Sequence, residues 1–385
     1  MEANERVGPR IRNARGMTTL RETARDLFDV VDQNARAAGS QPVPQATVDA
    51  LAGAGLHAVM TPQAVGGSEA SVVDAIDAFA EIACADGSAG WCLMANAVTI
   101  AFFGAWAPDE FAKTLFADGV PLAAGQFAPN GVATPDGDGY RITGDYHFGS
   151  GVRHSAWVGA GVVTEAAEGT DAQLLFALMP ASAVEFTGNW DVLGLESTAS
   201  WDYSIRDVWV PETATFDFFA PVRRRGSAMY ELGVMGLTSA GHAGFALGVV
   251  RRALDELTAI ARSKQRMGSA TSLRDSDRFL SELANLEARA RSAASWVRER
   301  FAAAEQTALE TGSADPTEVL LARQATVHAT QDGADVVRRA YLLAGTDGLR
   351  AGPLQTCFRD IHAGSQHFFA GDLASIELGR LLVAE

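Results

Sequence analysis

Cysteine is scarce in this chain, with three residues in 385: Cys84, Cys92 and Cys357. They form no Cys-x-x-Cys pair and leave one over in any disulfide scheme, the pattern of a reducing compartment, which predicts a cytoplasmic protein. Positive charge is also short. Thirty-one Lys and Arg stand against 47 Asp and Glu, a formal net charge of −16, and the isoelectric point is near 4.9. Such a surface repels phosphate backbones and anionic membranes, so no nucleic-acid partner is expected. Apolar runs are interrupted by Gly, Asp or Trp short of the ~18 residues that a membrane span requires, and no membrane association is expected. Four arginines, Arg6, Arg10, Arg12 and Arg15, precede no apolar signal core, so residues 1–16 read as a loose leader.

Nucleotide motifs are missing as well. Gly159-Ala160-Gly161 begins like a dinucleotide fingerprint but lacks the third glycine and stands in strand-like sequence, and there is no phosphate-binding Walker loop. Asp136-Gly137-Asp138-Gly139 lacks the closing glutamate of a calcium loop and reads as a hairpin. His362 and His367 are five residues apart, about 140° on one helix, which is poor for a shared metal. No metal site is expected. Ser150, flanked by Gly149 and Gly151, does not sit in a Gly-x-Ser-x-Gly elbow, and reads either as a turn or as a ligand contact. His367 reads either as a core or capping histidine or as a proton-transfer group.

What is present is a globular composition, 48% hydrophobic and 20% charged, on a chain long enough for a large core and two or three structural units. Apolar spacings of three and four from Leu20 to Val31, followed by segments at Val48–Gly55, Val72–Ala85, Ser88–Phe103 and one opening at Pro108, predict a helical unit over 17–120. Between 121 and 215, short runs rich in Val, Thr, Tyr, Phe and Trp are punctuated by Gly, Asp, Asn and Pro, which predicts a β-domain. From 216 to 385 helical segments at 228–265, 275–312, 317–344 and 354–382 suit a four-helix bundle. The expected fold is mainly α with a central β-domain.

This helical–β–bundle order resembles the acyl-CoA dehydrogenase fold, with an N-terminal helical domain, a barrel-like middle domain and a C-terminal four-helix bundle. Ala85-Asp-Gly-Ser-Ala-Gly-Trp91 resembles the segment before that family's central helix, and Gly125-Gln-Phe-Ala-Pro-Asn-Gly131 and Tyr140–Trp157 resemble its flavin-contacting strands. Ala246–Asp255, with Arg262-Ser-Lys-Gln-Arg266, resembles a bundle helix of the family. The glutamate base of the dehydrogenases has no counterpart: His367-Phe368 fills one position, and the other falls near Ser239. Phe148-Gly-Ser-Gly-x-x-His154-x-x-Trp157 together with Arg359-Asp-x-His-Ala-Gly-x-x-His367 resembles instead a branch of the fold. These are the oxygenase components of two-component flavin-dependent monooxygenases, such as the p-hydroxyphenylacetate, secosteroid-phenol and dibenzothiophene oxygenases.

That resemblance implies a homotetrameric hydroxylase. It would take FMNH2 or FADH2 from a separate NAD(P)H:flavin reductase and react it with O2 to a C4a-hydroperoxyflavin that oxygenates an aromatic or polycyclic small molecule. It also implies Ser150 beside the flavin ring and His367 beside the substrate as catalytic residues. Gln126, Phe127, Phe148 and Gly149 would contact the flavin, Arg266 its phosphate from a neighbouring subunit, and Trp91, Asn96 and Thr99 would line the substrate side. Some relatives carry a histidine where Thr99 stands, so this chain uses another group there or takes a different substrate. Two rival readings remain: an acyl-CoA dehydrogenase or oxidase with an atypical base such as Asp360 or Glu377, and a non-catalytic binding protein of the same fold.

Overall fold

A computed structural model describes residues 19–165, 172–264 and 272–384. The proposed leader, 1–16, and Arg266 lie outside these residues. The N-terminal unit opens with α1 (Leu20–Asp26), where the Thr19 hydroxyl accepts the Glu22 N–H and the Glu22 carboxylate accepts the Thr19 N–H, a reciprocal cap that satisfies two orphan donors. The periodic stretch predicted as one helix breaks at Leu27, and α2 (Phe28–Ala38) follows. Then come α3 (Gln45–Gly53), α4 (Val72–Ala85, capped by Ser71), α5 (Gly87–Trp106, capped by Asp86) and α6 (Asp109–Leu115).

The middle unit is a seven-stranded sheet: β1 (Ala123–Asp136), β2 (Gly139–Gly149), β3 (Trp157–Thr164), β4 (Leu174–Pro180), β5 (Glu185–Gly188), β6 (Trp201–Pro211) and β7 (Thr215–Asp217). Its order is β5-β6-β2-β1-β3-β4-β7, and only the β1–β3 pair is parallel. Asp136 pairs with Gly139, so the Asp-Gly-Asp-Gly stretch is the hairpin expected. The register of β6 against β2 slips at Arg206–Asp207: Asp207 has φ 56 and its N–H turns to the Thr143 hydroxyl, the mark of a bulge.

The C-terminal unit contains α7 (Gly233–Ser263), α8 (Asp277–Thr311), α9 (Pro316–Ala344), α10 (Pro353–Gly364) and α11 (Leu373–Ala384). The single helix expected over 354–382 is therefore two, separated by a 3-10 turn at Phe368–Ala370. His362 lies on α10 and His367 beyond its end, so the two do not share a helix and are not held 140° apart. The His367 imidazole caps the turn by accepting the Phe369 N–H.

A second sequence expectation also needs correcting. Gly87–Trp106 and the helical span Ala228–Ser263 are long and apolar enough to cross a membrane, but 94% and 83% of their apolar windows are buried inside the chain. The interruptions by Gly and Trp do not break these helices, because other helices and the sheet cover them. Phe102, Phe103 and Trp106 of α5 pack into an aromatic layer with Phe127, Phe176 and Phe216 of the sheet, at ring separations of 4.6 to 6.2 Å. Such pairs each add about 0.5–1.5 kcal/mol beyond area burial. On the other side α4 lies so close to α7 that a Cβ on Gly248 would stand 2.3 Å from the Ala80 carbonyl oxygen.

Arg252 of α7 fastens these helices further. Its side chain is 6% exposed and donates to Asp32 (2.6 Å), Glu256 (2.8 Å) and the Cys84 carbonyl (3.1 Å). One guanidinium thus ties α2, α4 and α7. Arg252→Met should lower stability by about 1–3 kcal/mol, because it removes the charge-assisted bonds to Asp32, which keeps Arg36, and the donor to the Cys84 carbonyl. The expected signature is a lower urea midpoint with unchanged m-value.

Candidate active site

The turn after β2 is built on glycine. Gly151 has φ 78, and a Cβ there would stand 2.4 Å from Asn96 Nδ2, so only glycine lets α5 approach. Asn96 donates to the Cys92 carbonyl (3.0 Å) and accepts from the Ser155 hydroxyl (3.1 Å), which also lies 2.8 Å from the Gly151 carbonyl. Its amide is therefore engaged in clasping the turn to α5. This turn presents Ser150 to Trp91, whose indole N–H donates to Ser150 Oγ at 2.9 Å.

The other side of the Trp91 ring faces the bundle. His242 and Phe245 of α7 meet it edge-on at 4.8 Å, and His367 at 5.4 Å. The His242 and His367 rings are 4.2 Å apart, and Phe369 stacks on both. Burial lowers the His367 pKa to about 4; His242 is pushed well down by burial and by its neighbour His367. Both rings are neutral near pH 7. Because His367 Nδ1 accepts the Phe369 N–H at 3.4 Å, its own hydrogen is on Nε2, where it is a donor.

Behind Ser150 runs a row of hydroxyls. Ser200 Oγ is 2.8 Å from Ser150 Oγ and 2.8 Å from Thr198 Oγ1, and Thr198 donates to the Leu195 carbonyl at 2.7 Å. The Leu195 N–H in turn donates to Asp360 at 2.7 Å.

Of the residues expected at the site, Trp91, Ser150 and His367 are brought together, and Gly149 and Phe148 adjoin them in the chain. Phe148 is 63% exposed with φ 64. Gln126 on β1 lies beside this region through Tyr203, whose hydroxyl accepts the Gln126 N–H and donates to the Gly159 carbonyl. The Gln126 Oε1 is buried without a partner. The Phe127 ring points instead into the aromatic layer, 4.6 Å from Phe176, leaving its backbone for any cofactor contact. Thr99 is buried on α5, and among the described residues no hydrogen bond joins it to the cluster. His242, Ser200 and Thr198 were not anticipated. His242 has a signal, a polar ring within Gly236-Leu-Thr-Ser-Ala-Gly-His-Ala-Gly244; the hydroxyls of Glu196-Ser-Thr-Ala-Ser200 have none.

These groups suit a flavin. A planar heterocycle with polar edges needs hydrogen-bond partners that the protein leaves open, and Gln126 Oε1 and one lone pair of Ser150 are such groups. An acyl-CoA base is harder to find. Glu377 is ion-paired to Arg323 at 2.7 Å. Asp360 is buried on the Leu195 N–H, and burial, reinforced by the nearby Asp86 carboxylate, pushes its pKa up to about 7.

Asp360 yields a stability test. Between its ordinary value of 3.8 and about 7 the folded chain holds a proton that the unfolded chain has lost. Its contribution therefore falls as pH rises through that window and is level above it. Asp360→Asn keeps an acceptor for Leu195 and removes the titration. The urea midpoint of the variant relative to the parent should rise from about pH 4 to pH 7; a difference independent of pH would refute the assignment.

Comparison with known proteins identifies the family. Residues 17–114 match the family described as acyl-CoA dehydrogenase, N-terminal domain, and residues 240–371 match acyl-CoA dehydrogenase, C-terminal domain. The chain is 29% identical to indole-3-acetate monooxygenase of Pseudomonas putida, covering 87% of this chain and 85% of that one. It is 30% identical to a pigment production hydroxylase of Rhodococcus sp. (87% and 88% covered). Its fold is that of XiaF from Streptomyces sp., solved with FADH2 and glycerol, with a TM-score of 0.86 at 21% identity over 95% of each chain. A hydroxyl and a neutral histidine on either side of one tryptophan, with no free carboxylate base among the described residues there, set the site apart from the dehydrogenases. The chain belongs to the acyl-CoA dehydrogenase-fold family of flavin-dependent monooxygenases, the oxygenase components.

Proposed function

We propose that this oxygenase takes reduced FMN or FAD from a separate NAD(P)H:flavin reductase and hydroxylates an aromatic or polycyclic small molecule in the cytoplasm. The observation that carries this reading is the convergence of Ser150 and His367 on Trp91. The indole-3-acetate monooxygenase relative supports an aromatic substrate, as do the rings of Trp91, Phe245 and Phe369 around the two histidines. Reduced flavin, when bound, supplies the two electrons with which O2 is activated.

The protein's own share is to bind, orient and exclude water. Ser150, Gln126 and the backbone from Phe148 to Gly149 hold the flavin, and Arg266 is assigned to its phosphate. Trp91 and Thr99 border the substrate, while the bonds of Asn96 assign it to shaping the turn between them. His367 holds a hydrogen at Nε2 for a substrate or transferred oxygen, and its low pKa keeps it uncharged throughout the neutral range. Phe245 and Phe369 keep water from the histidines. Support for a homotetramer comes from α11, where Leu373, Ile376 and Val383 share one face and are 40 to 86% exposed, an apolar stripe that a partner would cover.

The deciding experiment mixes the protein and anaerobically reduced FMN, then FAD, with oxygenated buffer in a stopped-flow spectrometer. Oxidised flavin should appear later than in protein-free buffer; the same rate with both cofactors would overturn the reading. With a turned-over aromatic substrate in hand, Ser150→Ala should raise the share of O2 released as hydrogen peroxide. His367→Ala should lower the product-forming rate by about 10²–10⁴, the range of general acid–base assistance. Unchanged coupling in the first variant and unchanged turnover in the second would remove these roles.

A further inference from the structure

We infer that Ser200 and Thr198 are positioning residues that fix the direction of the Ser150 hydroxyl, so that Ser150 meets the flavin as a hydrogen-bond acceptor and the site discriminates between flavin redox states. The inference rests on the flavin reading above and adds to it two residues outside the motifs that suggested it.

It follows from counting hydrogens along the row. The Leu195 carbonyl can only accept, so Thr198 donates to it (2.7 Å). A threonine hydroxyl has one hydrogen; at the 2.8 Å contact between Thr198 and Ser200 the donor is therefore Ser200. That uses the single Ser200 hydrogen, so at the next 2.8 Å contact the donor is Ser150. The Trp91 indole N–H, which can only donate, points at Ser150 from the other side (2.9 Å). Ser150 thus gives its hydrogen to Ser200, receives one from Trp91 and keeps one lone pair.

The row resists reversal. Thr198 and Ser200 are 3% and 1% exposed, so water does not compensate a contact left without a hydrogen. The loop is anchored at both ends: the Leu195 N–H is held by Asp360, and the Thr198 carbonyl accepts from the Cys92 thiol of α5 at 3.6 Å. Leu195 and Ala199 are held at φ 57 and 43, conformations that persist in non-glycine residues only where surroundings determine them.

The consequence is chemical. Reduced flavin has a hydrogen on N5, whereas oxidised flavin has a bare acceptor there. With Ser150 set against N5, as the inference requires, a serine whose hydrogen is committed elsewhere bonds the first and repels the second. Release of that hydrogen removes the distinction.

The test measures dissociation constants of oxidised and anaerobically reduced flavin, FMN and FAD, with the full chain and no substrate. The parent should bind reduced flavin more tightly. Ser200→Ala and Thr198→Val free the Ser150 hydrogen, so oxidised flavin should bind more tightly. The ratio of the two constants should shrink about tenfold, the scale of one hydrogen bond. Ser200→Thr should restore the parental ratio, and Ser200→Ala should have no further effect on the ratio in a Ser150→Ala background. Equal changes in both constants, or an unchanged ratio in a folded Ser200→Ala protein, would overturn the inference. Failure of the parent to bind either form would instead overturn the flavin reading and this inference with it.

Discussion

The contact between the Trp91 indole N–H and Ser150 joins the three units of this protein at one point. Trp91 is on α5, between the sheet and the bundle, and an indole has one polar atom that can only donate. Directing that atom at the turn after β2 leaves the ring to face α7 and the α10–α11 connection. His242, Phe245 and His367 then arrange themselves against its face and edge. Relocation of the indole would change Ser150 and both histidines together. The surrounding order serves this placement: Asp86 caps α5 by accepting the Ala89 N–H at 2.7 Å, and the aromatic layer fixes the far end of the helix.

Charge is kept away from that point. The histidines are neutral because burial outweighs hydration of an imidazolium, and each would repel a charge on the other. The nearest acid on the hydroxyl row, Asp360, sits at its remote end behind the Leu195 peptide. Removal of an α-proton from a thioester requires a carboxylate or equivalent base in contact with substrate, and among the described residues this cluster presents hydroxyl, indole and imidazole groups instead. The same helical framework therefore supports two chemistries according to which groups stand around α5.

The division into helices, sheet and helices was legible because each unit has its own hydrophobic period, and the hairpin at Asp136–Gly139 was legible because turn chemistry is local. The His367 turn was not. Gly364-Ser-Gln-His-Phe-Phe369 contains no proline, and Gly364, the last residue of α10, is the one local mark of its end; packing of Phe369 against His242 and His367 is a tertiary effect. Ser150 was ambiguous from residues alone, and its motif gave it a role but not a direction. That direction depends on Ser200 and Thr198, about 50 residues away in sequence, where hydroxyls in a loop have no pattern to distinguish them. Asn96 shows the opposite limit: its place on α5 was right, but its amide is engaged by the turn.

Strain gathers around the same hydroxyls. Phe148 precedes Ser150 by two residues, while Leu195 and Ala199 flank Thr198, and all three adopt left-handed backbone without being glycine. Each such residue costs of order 1 kcal/mol or more, and survives only where other bonds leave no alternative. Phe148 is braced by its N–H to Asp202 and its carbonyl to the Ser150 N–H; Leu195 is braced by Asp360 on one side and by Thr198 and Trp190 on the other. A loop free to relax would turn its hydroxyls toward water and let each hydrogen choose its partner. Held in this conformation, the two loops place Ser150 and Ser200 at hydrogen-bond distance with their donors already assigned, so the cost of orienting them is met in folding rather than when the cofactor arrives.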